Sequence, residues 1–307
     1  MADARFRLRV LALLTVVAVA GGVAVPGTAQ DAPAPTAAST PRRLDLYRGL
    51  GSWTDIYDVV TYEQPVAAIA RMHDKGVRTV YIETANYRIN RKIFRPKKVA
   101  RMIHAAHRRG MKVVAWYLPG FDDLDRDYRR AMAAIRFTTP RGHRFDAFAL
   151  DIEATVVRDI SVRNRRMRVL SRRLREAVGR RYPLGAIVPE AGALYWPDFP
   201  YATVDRYYDV FLPMAYFTFR TSGPEGVRRF TRRNIRAIRR ATGDPDVPIH
   251  IIGGVAGDAS PREVAAFVGA TLDAAPLGAS LYEFETTTDA QWRRLAPLNR
   301  LTATGTR

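Results

Sequence analysis

Eight short runs of β-forming residues alternate with stretches of helical periodicity, and this alternation limits the folds open to the chain. The predicted strands are 47–53, 77–83, 112–117, 145–152, 184–188, 210–216, 249–252 and 279–284. Helices are predicted near 64–75, 96–109, 123–136, 159–180, 202–206, 224–241, 260–273 and 288–296. Strands separated by helices pair in parallel, and eight such units predict a closed (β/α)8 TIM barrel of the α/β class. An open doubly wound sheet is the alternative, but no glycine-rich phosphate-binding motif follows the first strand.

The first 43 residues do not resemble part of a barrel. Residues 1–29 combine Arg5, Arg7 and Arg9 with an apolar stretch and a small-residue site at 27–29, which predicts a signal peptide and a secreted protein. An uncleaved membrane anchor is the alternative, although the apolar run is shorter than the roughly 20 residues of a spanning helix. Residues 30–43 are rich in Pro and small side chains and predict a flexible tether. We expect one barrel domain at 44–300 and a tail at 301–307.

The composition limits how the fold is stabilised and which kinds of partner the protein can bind. The chain has no cysteine, so it contains no disulfides and depends on its hydrophobic core. Its formal charge of +19 comes mostly from arginine. That charge fits binding to an anionic cell-wall polymer, or simply the solvated faces of amphipathic helices such as 159–180. No nucleic-acid-binding motif is present, and we expect a monomer.

The fourth predicted strand ends in two carboxylates. Residues 145–153 read Phe-Asp-Ala-Phe-Ala-Leu-Asp-Ile-Glu, and strand alternation points Asp151 and Glu153 to the same face. In β/α barrels the active site is built from the carboxyl ends of the strands. These two residues are therefore the first candidates for catalysis.

Carboxylates and aromatic rings dominate the other predicted strand ends and the loop after the fifth strand. Such a set suits sugars, because one carboxyl can protonate a glycosidic oxygen while another acts opposite it, and aromatic faces cover the pyranose ring. The scattered histidines show no metal-ligand spacing, so we expect neither metal nor cofactor. The predicted substrate-binding residues are Trp53, Glu83, Trp116, Tyr117, Glu190, Trp196, Met214, Tyr282 and Glu283.

Three segments resemble family 18 glycoside hydrolases, the chitinase-like (β/α)8 barrels. Residues 146–153 are similar to the Asp-x-x-Asp-x-Asp-x-Glu signature on that family's fourth strand. Pro213-Met214-Ala215-Tyr216 resembles its Met-x-Tyr motif on the sixth strand, and residues 278–282 resemble its last strand, with Tyr282 in place of the usual Trp.

The resemblance implies a catalytic set of Glu153, Asp151 and Tyr216. Glu153 would protonate the leaving oxygen, Asp151 would orient the N-acetyl group of a β-linked N-acetylhexosamine, and Tyr216 would bond to its carbonyl. The family's second aspartate is Ala149 here, directly below Asp151 on the same strand face. Without that partner we expect Asp151 to ionise more readily, which puts acetamido assistance in question.

Two other functions remain open from the sequence. A carboxylate from another strand can supply the missing group, which would make this a two-carboxylate glycosidase of a different barrel family. A carbohydrate-binding protein without activity can also use this barrel. Retention of Glu153 argues against that second function, and Ala149 argues for it.

Overall fold

Eight parallel strands close into a barrel in the computed structural model, which describes residues 44–302. Each strand pairs with its neighbours in chain order, and the last strand pairs with the first. The predicted (β/α)8 barrel is therefore confirmed. The strands are β1 (Gly49–Thr54), β2 (Thr79–Asn86), β3 (Lys112–Leu118), β4 (Ala147–Asp151), β5 (Leu184–Pro189), β6 (Val210–Met214), β7 (His250–Val255) and β8 (Gly278–Tyr282). The predicted signal peptide and tether lie outside the described residues, as do residues 303–307.

Alternation along the strands divides the core into two layers. On β3, Val114 and Trp116 point into the barrel, while Val113 and Tyr117 point outward to the helices. Both faces are buried, which explains why the strands read as nearly continuous apolar runs. Inward-facing side chains at the carboxyl ends of the strands therefore reach the barrel mouth.

Nine α-helices surround the barrel within residues 44–302, and their ends match the predicted ones closely. They are α1 (Val59–Glu63), α2 (Pro65–Asp74), α3 (Pro96–His107), α4 (Leu124–Ile135), α5 (Ile160–Val178), α6 (Tyr201–Asp205), α7 (Gly223–Thr242), α8 (Pro261–Ala274) and α9 (Asp289–Leu295). The sequence did not predict α1, which has a single turn. At α8 the Ser260 hydroxyl and Glu263 form a capping box, as Ser-Pro-x-Glu indicates. A final 3-10 helix extends to Thr302, beyond the predicted domain end at residue 300.

Two arginines of α5 are buried, which the amphipathic pattern did not predict. Arg175 donates to Asp209 Oδ2 at 2.8 Å and to the Tyr207 carbonyl at 2.7 Å. Arg163 donates to the carbonyls of Val157 and Tyr195 at 2.8 and 2.9 Å. Part of the positive charge therefore holds the loops around α5 in place.

The described residues include no helix that is long and apolar enough to cross a membrane.

Candidate active site

The barrel mouth collects acidic side chains from several strands. Asp151 ends β4, and Glu153 lies in the turn that follows it, one residue beyond the predicted strand. Glu83 lies on β2, Glu190 directly follows β5 and Glu283 directly follows β8. The fold thus brings the predicted carboxylates to one end of the barrel.

Asp151 is buried at the top of the barrel interior. Its Oδ1 atom is inaccessible to solvent and has no hydrogen-bond partner within residues 44–302. Burial raises the pKa of the Asp151 carboxyl well above its usual range, and the nearby Glu153 and Glu83 carboxylates raise it further. Both effects favour the protonated form of Asp151. The predicted effect of the missing carboxylate at position 149 stays a prediction, because burial and the other acidic neighbours raise the pKa of Asp151 without it.

Glu153 is half-buried at the mouth. Burial raises the pKa of its carboxyl to about 7, while the charge of Arg88 lowers that pKa and Glu190 raises it. Among the described residues, none forms a hydrogen bond or an ion pair with this carboxyl. Glu153 is thus a carboxylic acid poised between its two protonation states near neutral pH, with its oxygens available to a ligand.

Two small residues, Ala149 and Gly185, lie side by side below Asp151. Ala149 lies beside Trp116 of β3 and Gly185 of β5 in the strand register. A methyl group placed on Gly185 would lie 3.3 Å from both the Ala149 side chain and the Tyr47 hydroxyl. The Tyr47 hydroxyl and the Trp116 Nε1 group have no partners within residues 44–302. The Tyr47 hydroxyl is therefore a buried polar group close to Ala149 that no described residue satisfies.

A second group of acids joins β1, β2 and β8. Tyr282 donates its hydroxyl to Asp55 Oδ2 at 2.7 Å, and the Asp55 amide donates to Asp58 Oδ2 at 2.9 Å. Burial raises the pKa of Asp58 well above its usual range, and repulsion from Asp55 and Glu283 adds to this effect. Burial raises the pKa of Glu283 to about 7, with Asp55 again contributing.

Glu83 belongs to the same group. It accepts hydrogen bonds at 3.0 Å from the Ile56 amide and from Asn86 Nδ2. Burial raises its pKa to about 8, and the Asp55 carboxylate adds to the rise, while the two hydrogen bonds oppose it. Glu83 is therefore mostly protonated at neutral pH and is poorly suited to act there as a base or nucleophile.

Glu190 differs from these acids because it forms an ion pair with an arginine. The guanidinium of Arg220 contacts Glu190 Oε1 through Nε at 2.6 Å and through Nη2 at 2.5 Å. Glu190 also raises the pKa of Glu153, which indicates that the two carboxyls are close enough to interact. It is thus the acid near Glu153 that has a dedicated cationic partner.

Three aromatic hydroxyls complete the mouth. The rings of Tyr216 and Tyr282 are 5.9 Å apart. Burial raises the pKa of Tyr216, and so do the charges of Glu153 and Asp151; the pKa of Tyr195 rises for the same reasons. Tyr195 and Tyr216 therefore remain hydroxyl donors within the field of the two candidate acids.

Three of the residues predicted to bind substrate fill the barrel interior instead. Trp53 is 1% exposed, stacks on Tyr81 with ring centres 4.1 Å apart, and donates to Ser280 Oγ at 2.7 Å. Trp116 and Met214 are buried in the same interior cluster. These side chains form the floor of the site, and the prediction that Trp53 lines its surface is corrected by its burial.

Two further predicted residues lie outside the barrel. Tyr117 points to the helical layer and donates to Asp127 Oδ1 at 2.7 Å. Trp196 is 1% exposed, donates to Asn164 Oδ1 at 2.8 Å, and lies 4.6 Å below the guanidinium of Arg163. The structure therefore corrects the assignment of both residues to a sugar-binding surface.

Four residues of the mouth were not predicted: Asp58, Arg88, Tyr195 and Arg220. Each lies in a connection after a strand, where no periodicity assigns a direction to its side chain.

Asp146, the first residue of the family signature, lies at the opposite end of β4 and bonds to His107 Nε2 at 2.9 Å. Residues 44–302 contain no group of three or more acidic or histidine side chains arranged to hold a metal ion.

Solved structures of glycoside hydrolases share this barrel. An endo-β-1,4-mannanase from Thermotoga petrophila matches with a TM-score of 0.63 and 10% identity, over 85% of this chain and 78% of that one. A chitinase from Bacteroides thetaiotaomicron matches with a TM-score of 0.61 and 12% identity, over 85% and 98%. A family GH18 chitinase from Cycas revoluta, in complex with allosamidin, matches with a TM-score of 0.59 and 12% identity, over 81% and 99%.

These likenesses identify a chitinase-like (β/α)8 barrel of the kind that glycoside hydrolases use. At such identities they establish the common fold and nothing finer. No protein-family model and no curated protein sequence matches the chain.

Proposed function

We propose that this protein is a glycoside hydrolase that cleaves a polysaccharide outside the cell, with Glu153 as the general acid. The observation that carries the proposal is the Glu153 carboxyl, which lies at the mouth with a pKa of about 7 and no partner among the described residues. A general acid works best when its pKa is near the working pH. Glu153 meets that requirement and is accessible to a glycosidic oxygen.

Asp151 and Tyr216 would support the substrate at the reacting sugar. Burial and acidic neighbours raise the pKa of Asp151 and favour its protonated form, which can donate a hydrogen bond to a sugar substituent such as an acetamido group. The Tyr216 hydroxyl remains a donor for the same reason. Because both residues would bind an acetamido group, the proposed substrate contains N-acetylhexosamine.

Ala149 leaves two routes for the attacking group. In the first, the acetamido oxygen of the substrate attacks the anomeric carbon while Asp151 holds the acetamido nitrogen. In the second, Glu190, paired with Arg220, acts as the nucleophile or as the base that activates water. Glu190→Gln distinguishes the routes, because it abolishes turnover only in the second.

Non-catalytic carbohydrate binding is the competing function, and one observation favours it. The second signature aspartate is replaced by a fully buried alanine, so the pair of carboxylates that resembles the family 18 centre is incomplete. A protein of this kind would hold a glycan at the mouth and release no product.

The test is a panel of β-linked polysaccharides incubated with the full chain. Chitin oligosaccharides, bacterial cell-wall glycan and β-1,4-mannan are assayed for new reducing ends, and binding of each is measured in parallel. We expect at least one glycan to be cleaved. Binding to a panel member without any cleavage would establish the carbohydrate-binding function instead.

We also propose that the protein is secreted. The support for secretion is the sequence of residues 1–29. The expected partners are a polysaccharide and, at the surface, an anionic cell-wall polymer, with no cofactor and a monomeric state. Mass spectrometry of the exported protein should find its N-terminus near residue 30. A mature chain that starts at Met1 and fractionates with membranes would instead favour the uncleaved anchor.

A further inference from the structure

A groove of about 650 Å³ lies on the outer face of the barrel, away from the acidic mouth. It runs between α3, the start of α2 and the segment that follows α4. Five basic residues line it: Lys97, Arg101, His104, Arg108 and Arg141. Nothing in the proposed hydrolysis at Glu153 uses this surface.

Four of these residues form a regular row along α3 and its C-terminal cap. Lys97, Arg101, His104 and Arg108 are separated by four, three and four positions, so they share one helix face. At 1.5 Å per residue the row is about 16 Å long, with a side chain at about every helical turn. We call this row the basic strip. Burial and the neighbouring basic residues lower the pKa of His104, so the lasting charges of the strip are those of Lys97, Arg101 and Arg108. A linear ligand with repeated negative charges would match these three positions.

The charges of the strip are not neutralised by the protein. No ion pair within residues 44–302 involves Lys97, Arg101, Arg108 or Arg141, and none of the residues that line the groove is acidic. Between positions 84 and 121 the sequence has ten Lys and Arg residues and no Asp or Glu. The groove therefore presents a concentrated positive field that an anionic ligand would neutralise.

Apolar side chains lie between the charges. Val66, Ala100, Phe137 and Pro140 contribute to the lining. Such surfaces suit the C–H faces of pyranose rings, while arginine forks suit carboxylates. Phe137 is half-buried and packs against the Phe145 ring at 5.9 Å, so the groove lacks the exposed aromatic platform on which nucleic-acid bases stack.

We propose that the basic strip binds an acidic polysaccharide whose sugar units carry carboxylate groups. The apolar lining holds the sugar faces. Lys97 and Arg101, about one helical turn apart, and Arg108, about two turns further along, pair with the carboxylates. Charge complementarity and the row geometry carry the assignment, and neither depends on the chemistry at Glu153.

The strip also leads toward the mouth. In a β/α unit the helix runs back from the carboxyl end of its strand, so Lys97 lies at the mouth end of α3 and Arg108 at the far end. Exposed Arg88 lies on the segment that connects β2 to α3, and its charge acts on Glu153. If Glu153 cleaves glycans as proposed, a polysaccharide on the strip is positioned to extend to the active site.

The test measures binding of the full chain to sodium polygalacturonate, to its methyl ester, which lacks the charges, and to single-stranded oligothymidine. The variant is Arg101→Glu/Arg108→Glu. Its matched control is Arg165→Glu/Arg168→Glu on α5, which makes the same change in net charge at exposed positions of another helix. Circular dichroism and thermal midpoints confirm that both variants fold, and Glu153→Gln is included.

We expect the α3 variant to weaken polygalacturonate binding by at least about tenfold, and the α5 variant to weaken it by less than about twofold. The methyl ester should bind poorly to every form, and Glu153→Gln should bind polygalacturonate as the unaltered chain does. Equal weakening in the two double variants would attribute binding to net charge and overturn the site. Equally tight binding of the ester, or tighter binding of oligothymidine at the strip, would overturn the ligand. Loss of catalysis in Glu153→Gln with intact binding concerns only the proposed hydrolysis.

Discussion

At the scale of single residues, the site depends on how the environment sets the protonation of each acid. Asp151 and Glu153 are two positions apart, yet burial and acidic neighbours raise the pKa of Asp151 well above its usual range, while the pKa of Glu153 at the mouth is raised to about 7. The carboxylates and their place at strand ends could be predicted from sequence. Their protonation could not, because it depends on acids from β2 and β5 that are distant in the chain.

The first prediction concerns the pH dependence of activity. If Glu153 is the general acid, kcat/KM falls as pH rises through about 7, because its pKa in the free protein is about 7. Arg88 lowers that pKa, so Arg88→Gln should move the basic limb to higher pH, and Arg88→Lys should leave it nearly in place. Initial rates on a cleaved glycan between about pH 5 and pH 9 check this. A basic limb that moves to lower pH in Arg88→Gln would contradict the role of Glu153.

The second prediction concerns Ala149. In Ala149→Asp a buried carboxyl has a folded-state pKa above its unfolded value of about 3.9, so stability is lost as pH rises above that value. We expect the free energy of unfolding to fall by about 1–3 kcal/mol more at neutral pH than near pH 4. Ala149→Asn has similar volume without the charge and should show no such difference. Urea unfolding at the two pH values checks it; equal losses in Ala149→Asp would indicate that the site is open to water.

At the scale of elements, strand phase decided which sequence predictions succeeded. Every predicted strand overlaps an observed one, with ends that differ by at most three residues. Tyr117 follows inward-facing Trp116 and therefore points outward, a consequence of alternation that the sequence already contains. Trp196 lies in a loop without periodicity, so its contact with Arg163 could not be inferred from sequence.

The third prediction concerns the contribution of Arg163 to stability. It is 3% exposed, and its guanidinium donates to three carbonyls and covers the Trp196 ring, which joins α5 to the loop that carries Tyr195. The ammonium group of a lysine cannot reproduce the planar set of hydrogen bonds that the Arg163 guanidinium donates. Arg163→Lys should therefore lower the free energy of unfolding by about 1–3 kcal/mol. Arg168→Lys, exposed on the same helix, should change it by less than about 0.5 kcal/mol. Chemical denaturation checks both, and equal effects would contradict a structural role for Arg163.

At the scale of the whole molecule, the barrel concentrates buried acids at one end. Burial raises the pKa values of Glu83, Glu153 and Glu283 to about 8, 7 and 7, and it raises the pKa of Asp151 well above its usual range. The eight-unit fold could be predicted from sequence alone, because periodicity is local. The burial and raised pKa values of these acids could not, because they arise only when the barrel closes and brings β8 next to β1.

The fold therefore predicts a stability that declines above neutral pH. A carboxyl with a raised folded-state pKa contributes stability that is present below its unfolded pKa and is lost as pH rises through the folded value. The buried His250, with a pKa of about 4, has the opposite effect, but only below about pH 6.5. We expect the thermal midpoint to fall between about pH 6.5 and pH 8.5, and Glu153→Gln to reduce that decline. A midpoint that rises over this interval would contradict the burial of these acids.

The most direct test of the central claim compares the chain with Glu153→Gln on a polysaccharide that the chain cleaves. Glu176→Gln, an exposed acid on α5, is the matched control. We predict that Glu153→Gln lowers the rate of reducing-end release by at least about a hundredfold. Its thermal midpoint should stay within a few degrees at neutral pH, and Glu176→Gln should keep full activity. Full activity in Glu153→Gln would show that Glu153 is not the acid and would contradict the proposed function of this site.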